Sequence, residues 1–393
     1  MAVLILILYI LGPMASVLYS GAIAFQTFFG IDHIYFVQAI GLTSALFIIR
    51  GGLSSIVWTD LVFVAGVLIS MTLVTVLGLL NVGGFENFVA ESEGRLHTVR
   101  PADSREMPWP SVFLGGLWVA HLFYWGFNQF TTQRAFAAKT LSEGQKGMLF
   151  TASILIIYSF LLIIPGIISF EIFGDLNEDQ DHAFPLLMGK LLPVGLKGFV
   201  FAAMFGGVLA SMNNMLNSSA SLFTLDVYKA KFKPNQSDQH YVYVGRICTC
   251  TLIIVSTIYA PNINAFVKYF NGSIYEYLQT VWGAVSPSVV AVFVFGMLFW
   301  KMPAIAAKVS LLSNPMIYVS LIYFFPDLSE LTYLGVAFLL NIFLISIITI
   351  VAPLKQKVIM PEKNNVKFER NLLVFVWGIF IVVFVLSIYI LFI

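Results

Sequence analysis

Charge is scarce in this chain. Asp, Glu, Lys and Arg make up only 10% of its 393 residues, and 21 basic groups nearly cancel 20 acidic ones. Such a balance leaves no field to attract nucleic acid, and no basic tract with interleaved aromatics is present to bind it. Cysteine is almost missing as well. Cys248 and Cys250 are too few and too close for a disulfide framework, and they read as inert residues packed against protein or lipid. The five histidines form no metal-ligand pattern, and HExxH, GxSxG, a phosphate-cradling Gly-rich loop and a K⁺-filter sequence are all absent. An enzyme is therefore not expected, nor an organic cofactor. The first apolar run lacks a basic start and merges into a multi-span pattern, so no cleavable signal peptide is expected either.

Apolar residues, by contrast, are in excess. With 59% hydrophobic residues and 37 Phe, the chain carries more apolar surface than a water-soluble core of this length can bury. Apolar runs of about 20 residues recur, and a helix of that length crosses a hydrocarbon core of roughly 30 Å. The expected class is an all-α polytopic membrane protein. Eleven spans are read at 3–29, 33–50, 53–82, 110–133, 147–171, 192–226, 241–260, 275–299, 304–325, 331–352 and 371–392. Lys and Arg sort between alternate loops. Fifteen lie at Arg50, between Arg134 and Lys146, between Lys229 and Arg246, at Lys301 and Lys308, and between Lys355 and Arg370. Six lie opposite, at Arg95, Arg100, Arg105, Lys190, Lys197 and Lys268. The positive-inside rule then puts the N-terminus in the cytoplasm and the C-terminus outside. Met1 opens almost directly into a membrane helix, which reads as a sign of upstream sequence.

Polar groups at membrane depth are the candidates for chemistry. From Val200 to Lys229 runs a helix-length segment of small residues, hydroxyls and amides, VFAAMFGGVLASMNNMLNSSASLFTLDVYK. In hydrocarbon such groups have to face protein, water or a ligand. Gly207, Ser211, Asn214 and Ser218 fall on one helical face. Ser211 and the carbonyls of Gly207 and Ala210 are hard oxygens of the kind an alkali cation accepts, although small-residue helix packing explains the same pattern. Asn213, Asn214 and Asn217 exceed what packing requires. Asp60 lies about two turns inside its span, where a carboxylate costs about 2.5–3.5 kcal/mol unless it binds a cation or pairs with protein. Both readings of Asp60 stand. His121, Tyr124 and Asn128 have i, i+3, i+7 spacing and form one polar-aromatic stripe suited to a hydroxylated solute. A lone membrane histidine also reads as a packed, hydrogen-bonded residue. Glu276, Gln279 and Trp282 form a second stripe, close to a helix break expected at Pro287.

The motifs GGLSSIVWTD (51–60), GGLWVAHLFYWGFNQFTTQRAFAAKTLSEGQKG (115–147), NSSASLFTLDVYK (217–229) and VSPSVVAVFVFGMLFWK (285–301) are long and ordered along the chain. Through them the sequence resembles the sodium/solute symporter family, and within it the sodium/glucose cotransporter branch, over essentially residues 1–393. The resemblance implies an inverted repeat of two five-helix units, with about eleven of roughly fourteen spans present. A single transmembrane domain, 1–393, would then hold the remainder of the first repeat (1–82), the second repeat (110–300) and peripheral helices (304–393). The leading helix and the first two core helices are expected to lie outside this chain.

The resemblance also implies residue roles. Gly207 and Ala210 offer carbonyls and Ser211 its hydroxyl to a sodium ion, Ala210 standing in place of a serine common in the family. Asp60 matches a fifth-helix aspartate that serves a second sodium in some members, with Asn213 and Asn214 where those members have hydroxyls. Tyr124 matches an inner-gate tyrosine and Gln279 a sugar-binding glutamine, and the polar-aromatic stripe adds His121 and Asn128 to the solute-facing set. His121 stands where a close sugar-transporting relative has asparagine, and Leu155 where it has a sugar-contacting lysine. The activity implied by the resemblance is sodium-coupled symport of a small, sugar-like polar solute across the cell membrane, with sodium, the solute and the bilayer as partners. A carboxylate or amino-acid-like solute is the alternative, as is a non-transporting remnant or solute sensor on the same scaffold.

Overall fold

In hydrocarbon every backbone N–H and C=O has to be satisfied within the chain, and helix meets that demand segment by segment. The computed structural model describes residues 2–92, 94–104, 107–176, 181–263, 265, 274–356 and 371–392. Among these residues the regular structure is helical, apart from an isolated bridge between Arg100 and Pro108. Arg105, Lys268, Lys357, Lys363, Lys367 and Arg370, which contribute to the charge asymmetry between loops, lie outside the described residues.

In chain order the helices are α1 (Ala2–Tyr9), α2 (Ala15–Phe29), α3 (His33–Asn81), α4 (Phe85–Glu91), α5 (Trp109–Phe113), α6 (Leu117–His121), α7 (Gln129–Phe136) and α8 (Leu141–Phe173). There come next α9 (Ala183–Leu191), α10 (Val194–Leu222), α11 (Asp238–Tyr259), α12 (Ile274–Gly283), α13 (Ser286–Leu298), α14 (Ala304–Phe324), α15 (Glu330–Val351) and α16 (Leu372–Leu391). Stretches of π-helix occupy Ile10–Met14, Leu122–Phe127 and Phe223–Phe232.

Nine helices among the described residues are long and apolar enough to cross a membrane, two fewer than the apolar runs lead one to expect. One correction concerns 33–50 and 53–82, expected as separate spans. They are one helix, α3, whose backbone runs through Gly51 and Gly52. Glycine lowers helix propensity by only about 1 kcal/mol and clashes with nothing, so without a proline the pair does not force a turn. Another correction concerns 110–133, expected as one span. It is divided into α5, α6, a π-helical stretch and α7. A Cβ at Gly115 would strike the Ser111 carbonyl, and one at Gly116 would strike the Leu331 carbonyl and Leu334. Glycine at 115, 116 and 335 thus lets the start of α15 cross that segment in backbone contact, the close approach small residues permit in membranes.

Two compact units divide the chain. One comprises Ala2–Leu96 and Ile157–Leu278. Here α10 packs along α3, α2 and α11. Lipid tails are as apolar as leucine, so the contact relies on close fit instead of expulsion from water. Gly66 meets Ala203, Gly206 meets the Phe63 ring, and Gly21 leaves room for Val208. Toward one end Phe201 packs tilted or edge-on among Phe25, Phe28 and Phe29 with ring centroids 4.5–4.6 Å apart.

The other unit comprises His97–Ile156 and Gln279–Ile393. Its core gathers Tyr318, Leu331, Tyr333, Leu334 and Ala337. The helix break expected near Pro287 is present: α12 ends at Gly283, Val285 leaves helical geometry at φ −134°, and Pro287 sits in the first turn of α13. α16 rests on α8 through Trp377 Nε1, which donates to Ser153 Oγ at 3.1 Å, and Asn371 Nδ2, which donates to Ser142 Oγ at 2.8 Å.

Candidate functional site

The oxygen-rich side of α10 is built by helical periodicity on a small-residue scaffold. Gly207 has no room for a side chain, since a Cβ there would come within 2.9 Å of Val67 on α3. One turn later the Ser211 hydroxyl donates to the Gly207 carbonyl at 3.0 Å. Two of the three expected sodium ligands are therefore adjacent, and the Ser211 oxygen keeps lone pairs for a cation after giving up its proton to the carbonyl. The third, Ala210, is buried beside them in sequence. Both readings of this stretch have a counterpart in the geometry: Gly207 packs tightly, and its carbonyl is bonded by Ser211.

Asp60 is 8% exposed, and its Oδ2 accepts a hydrogen bond from Asn214 Nδ2 at 2.9 Å. A carboxylate at that depth needs such a donor. The pairing supplies the protein partner that one reading of Asp60 required, and it brings together two residues assigned to a second sodium. Asn213 is 1% exposed, and its Oδ1 has no hydrogen-bond partner among the described residues. An amide oxygen left bare in the interior costs about 1–3 kcal/mol, a penalty that a bound cation relieves.

The solute-facing set is arranged differently from its sequence spacing. His121, Tyr124 and Asn128 share a face only at 3.6 residues per turn, whereas Leu122–Phe127 is π-helical with i→i+5 bonding. The wider turn separates them. His121, with Trp118, Leu122 and Trp125, lines a cavity of about 770 Å³ closed on one side by Leu386 and Tyr389 of α16. Tyr124 stays exposed with its ring at 5.0 Å from Trp125, while Asn128 is buried where the helix opens into extended backbone. Phe123 and Phe127 turn toward the broken helix, packing on Trp282 at 5.0 Å and Phe293 at 4.6 Å. Gln279 lies half-buried on α12, one turn before Trp282.

Asn314, Asn341 and Ser310 escape a reading by sequence, yet all three are fully buried and hydrogen-bonded to one another. A signal for them exists. Each is the lone amide in a predominantly apolar span, LLSNPMIY and FLLNIFLI, and an amide in such a run has to find a partner.

The family model described as sodium:solute symporter family matches residues 1–312. A sodium/glucose cotransporter from Vibrio parahaemolyticus is 36% identical over 327 residues, covering 77% of this chain and 59% of the relative. A sodium/myo-inositol cotransporter 2 from Mus musculus is 29% identical over 335 residues, covering 77% of this chain and 49% of the relative. The chain thus spans 49–59% of these relatives' length. A solved structure, the substrate-bound outward-open state of a Na⁺-coupled sialic acid symporter, matches with a TM-score of 0.75 at 19% identity, over 91% of this chain and 75% of that chain. At that identity the likeness is one of fold.

Proposed function

The chain belongs to the sodium:solute symporter family, and from that premise we propose that it takes part in sodium-driven uptake of a small polyhydroxylated solute by alternating access across the cell membrane. Transport, not enzymatic conversion, is the business of this family. The observation that carries the proposal lies on α10, where Ser211 bonds the Gly207 carbonyl and Asn214 bonds Asp60, and where the Asn213 oxygen, on another face of the helix, is buried without a partner among the described residues. Gly207, Ala210 and Ser211 are assigned to a first sodium, and Asp60, Asn213 and Asn214 to a second.

The solute assignment rests on Tyr124, Asn128, Gln279 and His121, and on the polyhydroxylated solutes named for the relatives, glucose and myo-inositol. Such solutes need many hydrogen-bonding partners, and these side chains supply a hydroxyl, two amides and an imidazole. Leu155 favours a second reading of the solute as something other than a hexose, because the leucine offers no donor at a position where the resemblance implies a sugar-contacting lysine. We further assign residues 1–82 and 110–300 to the two inverted repeats, and turn the loops rich in Lys and Arg toward the cytoplasm.

Uptake into proteoliposomes tests the proposal. A panel of labelled hexoses, inositols and acidic sugars is offered with sodium outside, or with choline in its place. Accumulation that needs sodium and selects among the panel is expected. Equal uptake in choline overturns the symport reading, and selective uptake of a carboxylate lacking hydroxyls overturns the solute class.

A further inference from the structure

Asn314 on α14 and Asn341 on α15 are completely buried, in helices that take no part in the proposed transport chemistry. Their hydrogen bonds run in one direction. Ser310 Oγ donates to Asn341 Oδ1 at 2.7 Å, and Asn341 Nδ2 donates to Asn314 Oδ1 and to the Ala337 carbonyl, each at 2.7 Å. Asn314 Nδ2 in turn donates to the Ala284 carbonyl at 2.6 Å and the Gly283 carbonyl at 3.2 Å. Both N–H groups of each amide are used, so the chain of bonds has a single arrangement and polarises along its length.

The chain of bonds ends on the carbonyls opened by the break between α12 and α13. In an unbroken helix the Gly283 carbonyl accepts from the N–H of residue 287, and Pro287 has none. Asn314 provides the missing donor from a neighbouring helix. Four residues further along α14 the Tyr318 ring lies against Gly283, where any side chain would collide with it. Thr280 Oγ1 donates to Glu330 Oε1 at 3.3 Å, which ties α12 to the start of α15. The bend is therefore held at several points by α14 and α15, with Asn314 as the link that reaches the broken backbone itself.

We propose that Asn314 is a positioning residue for solute recognition: by bonding the carbonyls at the break it sets the angle between α12 and α13, and with it the direction in which Gln279 points. The assignment rests on the reading of Gln279 as a solute ligand. Without the amide, the break at Ala284 and Val285 keeps only the flanking ties to Tyr318 and Glu330, so α12 shifts or straightens there and Gln279 moves with it, while the residues of α10 assigned to sodium belong to the other compact unit.

The test uses the full chain in proteoliposomes. In Asn314→Leu, amide exchange across 280–289 accelerates about tenfold, the solute KM rises about tenfold and the sodium half-saturation is unchanged. Adding Pro287→Ala returns an N–H to the Gly283 carbonyl from within the helix. In that double variant exchange protection recovers but the solute KM does not, because the restored bond straightens the bend. If Asn314→Leu inserts poorly, Asn341→Leu, which removes only the support of Asn314, shows the same changes about threefold. Unchanged exchange across 280–289 overturns the proposal, and so does a KM that recovers together with protection. Absence of sodium-dependent uptake in the parent protein rejects the symport reading instead, and exchange still decides whether the clamp exists.

Discussion

Ser211 and Asn213 stand two residues apart on α10, on nearly opposite sides of the helix, and meet the protein interior in different ways. Ser211 bonds its own helix, so Ser211→Ala removes one side-chain oxygen and little stability, since hydroxyls that bond back to i−4 add almost nothing to a helix. Sodium-dependent uptake is expected to be lost in that variant with membrane insertion intact; unchanged sodium affinity would sink the assignment. Asn213 carries an unsatisfied buried oxygen, so Asn213→Leu is expected to raise thermal stability by about 1 kcal/mol while raising the sodium concentration for half-maximal uptake. Thermal unfolding in detergent and sodium titration of uptake check the two effects together. A gain in stability with sodium affinity unchanged would make Asn213 a structural residue. His121 was legible as a polar residue at membrane depth, but its outlook onto Trp118, Trp125 and Tyr389 was not. Residue spacing gives a direction only when the helix has its ordinary pitch.

At the scale of elements, glycine decides where helices cross. Gly206 faces the Phe63 ring and Gly116 faces the backbone of Leu331, and neither has space for a methyl group. Gly206→Leu is expected to push α10 from α3 and destabilise the protein by about 1–3 kcal/mol, with Gly198→Leu, which meets open space, as the neutral control. Unfolding midpoints of the two variants, measured in one detergent, check this. Equal midpoints would mean that the α3–α10 crossing tolerates separation. The existence of these helices was legible in the sequence, because their apolar runs are long. Where they break or join was not: α3 passes through two glycines without turning, and 110–133 opens at Gly115–Gly116 and again at Asn128. At Gly115–Gly116 the outcome depends on the backbone of α15 that crosses there, and in α3 on the absence of a proline that would force a turn.

Across the whole molecule the proposed symport draws its energy from an ion moving through a field. One sodium crossing about 100 mV releases about 2.3 kcal/mol, sufficient for roughly fortyfold accumulation of a neutral solute. Imposing an inside-negative potassium diffusion potential on sodium-loaded proteoliposomes, with sodium equal on both sides, is expected to drive solute uptake against its gradient. Uptake that ignores the potential would exclude movement of net charge with the solute.

Composition alone determined the solvent of this protein, since 10% charge and 59% hydrophobic residues leave a bilayer as the medium that its surface tolerates. The bilayer in turn fixed helix as the secondary structure, because unpaired backbone is too costly there. Motif order led to the family, and chemical type pointed to Ser211, Asp60 and the α10 amides as candidate ligands. Only the tertiary structure decided the partners: Asn214 for Asp60, a π-helical turn that separates His121 from Tyr124, and Asn314 for the carbonyls that Pro287 leaves open. The reason is physical. A sequence states which groups cannot remain unsatisfied in hydrocarbon, but the group that satisfies each one comes from another helix, and which helix that is depends on packing between distant parts of the chain.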